Sequence, residues 1–258
     1  MNFSLLDVPS ITNARRYDEV SSTMDVAREL ISTHATSSDW SGLVLADRQI
    51  AGRGRQGRSW HSVGGAFLAT YVFCVTGGAA SLSGYSLAVG VALFRALRTV
   101  GATIQLKWPN DLVVQSAREL RKLGGVLIEV EAHRDFHCVL VGIGINLSAP
   151  PEEVSHIASS VTEVRGRPTG VQDILVEVSR ELSVMHDNFV TTGGFKVFLD
   201  EWCNASCFRP GITCISIDGG GGEVSGVYTG LESSGALVLD LGSERRQFVS
   251  GHITSVSL

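Results

Sequence analysis

The sequence predicts an α+β protein, with a mixed or antiparallel sheet that has flanking helices to one side and a small SH3-like β-barrel at the C-terminus. Two observations lead to this fold class. Up to about residue 207, apolar strand patterns alternate with helical patterns of period 3.6. From residue 208 the helical period is lost, and short strands separated by turn residues follow one another. We therefore expect a domain boundary near Cys207, between domains of residues 1–207 and 208–258.

Each element of the first domain has its own sequence signal. Ser22 or Thr23 can cap the first helix, Ser83 the second, and Thr169 with Gln172 forms a capping-box pattern before the third. The strands are runs of apolar and β-branched residues. The predicted strands cover residues 42–47, 65–75, 103–107, 112–115, 122–130 and 136–147. The predicted helices cover 24–34, 82–100, 169–189 and 195–203, and 150–168 is irregular.

Turn residues divide the second domain into short pieces. Four glycines at 219–222 and the Ser-Ser-Gly at 233–235 separate the strand patterns. The predicted strands cover residues 212–217, 224–231, 236–241 and 247–250. Such close spacing over about fifty residues is typical of a small β-barrel.

The composition is that of a globular protein. Of the 258 residues, 44% are hydrophobic and 18% are charged. No apolar run approaches the roughly 18 residues of a membrane span, and the first residues lack the basic and apolar regions of a secretory signal. We expect a cytoplasmic protein with no membrane segment.

Cysteine usage argues against a disulfide framework. The five cysteines are an odd number with scattered spacing. Cys203 and Cys207 are four residues apart, a spacing that could hold a metal, but no second Cys/His pair accompanies them. Ordinary buried thiols are the preferred interpretation.

A loop rich in arginine and glycine, residues 49–60, is the strongest candidate for function. It contains the sequence Gly-Arg-Gly-Arg-Gln-Gly-Arg, in which glycine frees the backbone and arginine offers a fork of donors to an anion. Residues 48–110 hold seven of the 21 basic residues and none of the 26 acidic ones, although the whole chain is formally −5. This local charge predicts a small anionic substrate rather than nucleic acid. An ordinary solvated face is the alternative.

Three further segments place polar residues beside glycine or proline. The turn at 107–111, Lys-Trp-Pro-Asn-Asp, is made rigid by its proline. Lys122 precedes two glycines, and Asn146 ends a strand whose glycines indicate a close approach of ligand or backbone. The chain has only three lysines, so Lys107 and Lys122 are candidates for chemistry. A simple hairpin corner is the structural alternative for the turn.

Two nucleotide-binding signatures do not apply. The loop formally contains Gly-x-Gly-x-x-Gly, but no helical pattern opens after it and no acidic residue follows at the expected distance. No Gly-x-x-x-x-Gly-Lys-Ser/Thr loop is present. A nucleotide would therefore be bound without a Rossmann motif or a P-loop.

In this order, the loop at 52–60, the turn at 107–111, Lys-Leu-Gly-Gly at 122–125 and Gly-Ile-Gly-Ile-Asn at 142–146 closely resemble the motifs of biotin protein ligases. The Ser-Thr helix start and the C-terminal β module fit too, so the resemblance covers nearly the whole chain. It implies a class II synthetase-like catalytic domain. It also implies an ATP-dependent ligase that uses biotin, ATP and Mg²⁺ to make biotinyl-5′-AMP, and then biotinylates a lysine of a biotin carboxyl carrier protein.

The resemblance also implies roles for individual residues. The implied catalytic residues are Lys122, Arg55 and Asp111. Asp111 would steer or deprotonate the acceptor lysine, with a structural turn carboxylate as the alternative. The implied biotin-binding residues are Ser22, Thr23, Met24, Gln49, Arg53, Gly54, Arg55, Lys122, Gly124 and Gly125. The implied ATP and adenylate residues are Arg55, Arg58, Trp60, Lys107, Asn110 and Asn146, and no metal ligand is assigned.

The chain departs from the family pattern in three places. Met24 stands where the family often has Asn, so a polar contact there is not expected. Residues 116–120 lengthen the hairpin before Lys122. Members that repress transcription carry an N-terminal helix-turn-helix domain, for which the roughly twenty residues before Ser22 are too few, so we expect no nucleic-acid binding.

Two other functions stay open. One is a lipoate or acyl ligase of related fold, which would also join a carboxylate to a carrier lysine. The other is a non-catalytic regulator that binds biotin or partners a carrier protein, although Lys122 and the intact arginine loop speak against it. The sequence is compatible with a homodimer without determining the oligomeric state.

Overall fold

An eight-stranded sheet is the frame of the structure, a computed structural model that describes residues 3–60, 65–116, 119–133, 135–149, 156–218 and 222–257. Its strand order is β1-β2-β3-β4-β8-β7-β6-β5. The strands are β1 (Ser4–Leu5), β2 (Asn13–Val20), β3 (Ser41–Gln49), β4 (Ala66–Val75), β5 (Gln105–Lys107), β6 (Asp111–Ser116), β7 (Glu119–His133) and β8 (Phe136–Asn146).

The sheet is mixed. β2 and β3 run parallel, whereas β3, β4, β8, β7, β6 and β5 pair antiparallel along the order. All ten residues of β4 are buried, and its Leu68 pairs with Ala46 of β3 and Gly144 of β8. This register places the end of β3, where the arginine-rich loop begins, level with the glycines of β8, with β4 between them.

Helices cover both faces of the sheet. They are α1 (Thr23–His34), α2 (Tyr85–Thr99), α3 (Val161–Arg165), α4 (Val171–Thr192) and α5 (Leu199–Ala205). Val44 and Val72 pack with α1, whereas Leu45 and Tyr71 pack with α2 and α4. Because successive residues of a strand point to opposite faces, β3 and β4 are apolar on both. The prediction of helices to one side of the sheet is therefore wrong.

The first two helices differ in how they begin. Ser22 is the N-cap of α1, as predicted, and its hydroxyl accepts a hydrogen bond from the Met24 N–H. For α2 the predicted cap, Ser83, is wrong. The N-cap is Gly84, whose φ of 76° is in the left-handed region, and Ser83 instead donates to the carbonyl of Ser234 in the C-terminal region.

The third predicted helix also begins later than expected. The capping box of Thr169 with Gln172 is wrong, because α4 has Gly170 as its N-cap and the Asp173 carboxylate accepts from the Gly170 N–H at 2.6 Å. The segment predicted as irregular contains α3, which Ser160 caps. The first residues of that segment, 150–155, lie outside the described residues.

The C-terminal region is a five-stranded antiparallel sheet with the order β12-β11-β10-β9-β13. The predicted α+β class is confirmed, and a small β module follows the larger domain as expected. In the described residues β12 and β13 lie at opposite edges, so this sheet is open where the sequence predicted an SH3-like β-barrel. The four predicted strands occur with ends shifted by a few residues, and β13 is an addition. The strands are β9 (Cys214–Asp218), β10 (Glu223–Leu231), β11 (Leu237–Asp240), β12 (Arg245–Phe248) and β13 (His252–Ser257). Most of the predicted glycine turn, residues 219–221, lies outside the described residues.

One hydrophobic core runs through both sheets. Ile215 and Tyr228 of the smaller sheet belong to the same cluster as α2, α4 and the larger sheet. The predicted boundary at Cys207 lies between α5 and β9. All five cysteines are free, and no helix within the described residues is long and apolar enough to cross a membrane.

Candidate active site

The arginine-rich loop is folded into a compact turn; we call residues 50–60 the lid. The Gly54 N–H donates to the Arg58 carbonyl at 2.7 Å, and the Trp60 N–H donates to the Gly52 carbonyl at 2.9 Å. At the tip, Gly57 has a φ of 72°, a conformation that glycine adopts without steric cost. The glycines therefore allow a tight turn that carries three arginines.

Arg55 is the lid arginine that reaches the Trp-Pro turn. Its Nη1 donates to Oδ1 of Asn110 at 3.2 Å. Burial lowers the pKa of the Arg55 guanidinium, the Asp111 carboxylate acts in the opposite direction, and Arg58 lowers it further. Because the ordinary pKa of arginine is so high, the side chain stays charged at neutral pH. The lid thus presents a partly desolvated cation to the site, where charge acts more strongly than in water.

Two other lid residues fix its position. Arg53 pairs with Asp25 in the first turn of α1, with 2.8 Å between Nη2 and Oδ1. Trp60 packs against Gly144 of β8, so closely that a Cβ on Gly144 would be 2.5 Å from the indole. The Trp60 ring also lies 5.6 Å from Nζ of Lys122. The absence of a side chain at Gly144 is what makes room for the indole.

Lys122 and Asp111 form an ion pair, with 2.6 Å between Nζ and Oδ1. The turn that carries Asp111 contains a cis Trp108–Pro109 peptide bond. Its Asn110 is held on β7 by two hydrogen bonds with Val126, one through the side-chain amide at 2.7 Å and one through the carbonyl at 3.0 Å. The turn and β7 therefore hold the carboxylate and the ammonium group together.

The start of α1 presents hydroxyl groups to the same place. The Gln49 amide oxygen accepts from both the N–H and the hydroxyl of Thr23, at 2.7 and 3.0 Å. The Thr70 hydroxyl donates to the Thr23 hydroxyl from β4. Met24 is buried against Gly142, where an added Cβ would lie 2.9 Å from the Met24 sulfur. The polar side chains and the thioether together close one end of the site.

These groups surround one cavity of about 200 Å³. Within the described residues, its lining carries five cationic side chains and one carboxylate, so it suits an anion. The structure places most of the expected site residues on this lining. They are Ser22, Thr23, Met24, Gln49, Arg53, Gly54, Arg55, Arg58, Trp60, Lys107, Asn110, Asp111, Lys122 and Gly125.

Two expected residues lie off this lining. Gly124 is within β7, where a Cβ would be 2.7 Å from the Gly144 carbonyl, so its absent side chain permits close strand packing. Asn146 lies at the end of β8, and its amide donates to the Ser159 carbonyl at 3.1 Å.

The lining also includes residues that the sequence analysis did not assign. One group on the lining is Gly142, Ile143 and Gly144 of β8. The glycines within this strand had indicated a close approach of ligand or backbone. Gly251, His252 and Ile253 of the C-terminal region also line the cavity. No sequence pattern indicated them, because their approach depends on how the two sheets pack. The larger sheet therefore supplies most of the site, and β13 completes its rim.

Comparison with known proteins identifies the family of this chain. The sequence model of the biotin/lipoate A/B protein ligase family matches residues 17–146, which is half of the chain. The chain belongs to this family. The matched residues include the α1 start, the lid, the Trp-Pro turn and Lys122, and so cover the cavity described above except for its C-terminal rim.

Two relatives illustrate the family membership. The bifunctional ligase/repressor BirA of Escherichia coli is 30% identical over 81% of this chain, and the chain spans 65% of that protein's length. The biotin–[acetyl-CoA-carboxylase] ligase of Paracoccus denitrificans is 32% identical over 77% of this chain and 84% of its own length. A solved biotin protein ligase of Aquifex aeolicus, in complex with biotin and ATP, is 27% identical with a TM-score of 0.75, covering 96% of this chain and 99% of its own.

Proposed function

We propose that this member of the biotin/lipoate ligase family is an ATP-dependent biotin–protein ligase. The observation that carries the proposal is the single cavity in which a folded arginine lid, Lys122 and the start of α1 come together. Support comes from the Aquifex aeolicus ligase solved with biotin and ATP, which shares the fold over 96% of this chain.

The reaction has two steps. In the first, an oxygen of the biotin carboxylate attacks the α-phosphorus of ATP, the bond to the β-phosphate breaks, and pyrophosphate leaves. In the second, the amine of an acceptor lysine on a biotin carboxyl carrier protein attacks the acyl carbon of biotinyl-5′-AMP. AMP leaves with the electron pair of the broken anhydride bond, and the amine loses a proton.

The biotin end of the cavity is the apolar and hydroxyl-lined end. Ser22, Thr23 and Gln49 offer neutral hydrogen bonds to the ureido group, as suits an uncharged ring. Met24 supplies a soft apolar contact that an asparagine could not. The proposed contacts from the lid and β7 are Arg53, Gly54, Arg55, Lys122, Gly124 and Gly125.

The cations serve the first step. A carboxylate and a triphosphate repel each other, and the transition state places further charge on the phosphate oxygens. Lys122 and Arg55 stabilise that charge, and their fixed positions keep the energetic cost of reorganisation low. The nucleotide lies against Arg58, Trp60, Lys107, Asn110 and Asn146. Trp60 is the best supported of these, because its buried indole N–H has no hydrogen-bond partner among the described residues.

Asp111 serves the second step. Its carboxylate steers or deprotonates the acceptor lysine, and it is the one acidic side chain on the described lining. A structural role in the turn is the alternative. Asp111→Asn separates the two, since loss of biotin transfer with normal adenylate formation supports the proposed role and normal transfer supports the structural one.

Magnesium enters as part of the nucleotide substrate. Within the described residues no group of three His, Cys, Asp or Glu side chains could hold a metal ion. Mg²⁺ keeps most of its ligands from water and substrate phosphates, so it accompanies ATP without a protein cage.

The remaining parts of the proposal are a cytoplasmic location and a homodimer. Light scattering at several protein concentrations tests the homodimer.

A biotin transfer assay tests the function directly. Purified protein is incubated with labelled biotin, Mg-ATP and a carrier domain, and both biotinyl-5′-AMP and labelled carrier are measured. We expect both products. If neither forms, the regulator hypothesis replaces the ligase proposal.

Lipoate is the alternative substrate to be tested, because the family that includes this chain also includes lipoate ligases. Isothermal titration with biotin and with lipoate is expected to give heat for biotin alone. Tight lipoate binding without biotin binding would overturn the proposal in favour of a lipoate ligase.

A further inference from the structure

Besides the backbone hydrogen bonds at its base, three side chains of the lid contact the rest of the site, and one of these contacts lies outside the catalytic groups. Arg55 contacts the Trp-Pro turn, and Trp60 lies against β8. The third contact is the ion pair of Arg53 with Asp25, which belongs to the helix whose first residues line the cavity. We propose that Asp25 is a positioning residue that anchors the lid through Arg53 and so limits escape of the adenylate.

Asp25 is itself held in place by an ion cluster. Its Oδ1 accepts from Nη1 of Arg28 at 2.9 Å, one helical turn further along α1. Arg28 in turn pairs with Glu129 and Glu131 on β7. The carboxylate that receives the lid arginine is therefore fixed by the helix and the sheet together.

The charges of this cluster explain why it attracts a lid arginine. Without Arg53, one guanidinium, that of Arg28, faces three carboxylates. With Arg53 in place the excess negative charge falls from two to one. The Arg53 guanidinium pairs with Asp25 of α1, whereas Arg55 and Lys122 remain for the reacting anions.

The exposure of the Arg53 and Asp25 side chains determines how strongly the ion pair can stabilise the lid. Arg53 and Asp25 side chains are 39% and 42% exposed, so the pair is worth a modest amount and is screened by salt. Pairs of this kind change an equilibrium by about two- to fivefold. The chain offers a matched control in Arg16 and Asp47, an ion pair of the same 2.8 Å length and 36% and 41% exposure on the sheet.

Tryptic cleavage of the lid measures the anchor without using activity. Trypsin cuts after arginine, so peptides that end at Arg55 and Arg58 report lid opening in the ligand-free protein. We expect Asp25→Asn to raise these cleavage rates about two- to fivefold and Asp25→Glu to restore them. Asp47→Asn is expected to leave them unchanged. Equal rates in Asp25→Asn and Asp47→Asn would overturn the anchor.

The functional half of the inference rests on the proposed ligase activity. Release of preformed biotinyl-5′-AMP is expected to be about two- to fivefold faster in Asp25→Asn than in wild type. The rate of single-turnover adenylate formation should be unchanged. The difference in release rate between the two proteins should shrink at high salt. In a double-mutant cycle on the tryptic cleavage rates of the ligand-free protein, Arg53→Gln should add nothing once Asp25 is replaced. Fully multiplicative effects would overturn the pairing. If wild type forms no adenylate, the proposed function fails while the cleavage result still decides the anchor.

Discussion

At the scale of single residues, the ion pair of Lys122 with Asp111 determines what each group can do in the resting site. The Lys122 side chain is 42% exposed, and its ammonium group contacts the carboxylate and lies 5.6 Å from the centre of the Trp60 ring. It also lines the cavity. Lys122 is a compact charge that donates to a carboxylate, whereas the planar guanidinium of Arg55 donates to an amide oxygen of the turn.

Replacement of Lys122 by Ala is expected to slow adenylate formation by about a hundredfold or more, the usual cost of removing one group that stabilises developing charge. Rapid quench of a single turnover with biotin and Mg-ATP measures this step. Lys196→Ala is the control, because Lys196 is an exposed lysine far along the chain in the turn before α5. An unchanged single-turnover rate in Lys122→Ala would contradict the proposed role.

At the scale of elements, the lid combines internal hydrogen bonds with a few contacts to its surroundings. Its backbone turn is complete in itself, so the loss of one arginine should leave the rest of the protein folded. The same loss should matter for the ligand, since hydrogen bonds to charged groups are worth more than neutral ones.

Arg55→Ala is therefore expected to speed release of biotinyl-5′-AMP by about tenfold or more. The melting temperature should change by no more than about 2 °C, as for a typical surface substitution. A chase experiment with unlabelled ligand and a thermal melt measure the two quantities. A lower melting temperature with normal retention would refute the assignment.

On α4, His186 predicts a pH dependence of stability. Its ring stacks on Phe73 at 4.7 Å, and its Nδ1 is 2.9 Å from the Tyr85 hydroxyl. Burial lowers the pKa of His186, while Asp187 and the Cys74 backbone act in the opposite direction. The unfolded chain thus binds the proton more readily, so the free energy of unfolding falls as pH drops below about 6.5.

Urea unfolding between pH 7.5 and 5.5 measures this dependence. His186→Gln is expected to have a shallower pH profile than wild type, because it removes the group that the native state keeps neutral. Parallel profiles in the two proteins would exclude His186 as the cause.

Elements were predictable where the signal was local. The apolar runs of β3, β4 and β8 and the Ser22 cap were read correctly, because a strand period and a capping hydroxyl act within a few residues. The caps at Ser83 and Thr169 were wrong because a neighbouring glycine occupies each N-cap position. β2 was missed because its sequence, Asn-Ala-Arg-Arg-Tyr-Asp-Glu-Val, is mostly polar and is held by pairing with β3.

The same distinction between local sequence signals and contacts distant in sequence applies to the site. Its motifs were recognisable because each is a short segment, and the structure places most of their residues on one cavity. The pairing of Arg53 with Asp25 and the approach of His252 were not predictable. Both depend on contacts between residues distant in sequence, which no local pattern specifies.

At the scale of the whole molecule, the C-terminal sheet supports the Trp-Pro turn from behind. The buried Trp108 indole donates to the Gly235 carbonyl at 3.1 Å, and Gly235 lies in the turn between β10 and β11. The continuous core joins the two sheets around this contact. We therefore expect the chain to unfold in one cooperative transition.

Trp108→Phe removes the donor and leaves a buried carbonyl without its partner. The expected cost is about 1–3 kcal/mol, which lowers the melting temperature by several degrees in a chain of this size. Far-UV and near-UV circular dichroism should report the same midpoint. An unchanged midpoint would show that the contact contributes nothing, and two separate midpoints would show that the sheets unfold independently.

The resting site has a further consequence for how it fills. Lys122 faces Asp111, Arg53 faces Asp25, and Arg55 faces Asn110, so each of these three cations already has a protein group as its counterpart. At Lys122 a substrate anion thus replaces an internal counterion, as on an ion-exchange resin. In the proposed mechanism Lys122 pairs with the substrate phosphate from the first step onwards, which leaves Asp111 without its counterion. The carboxylate is then free to accept a proton only once substrate is bound, which places substrate binding before the proton transfer of the second step.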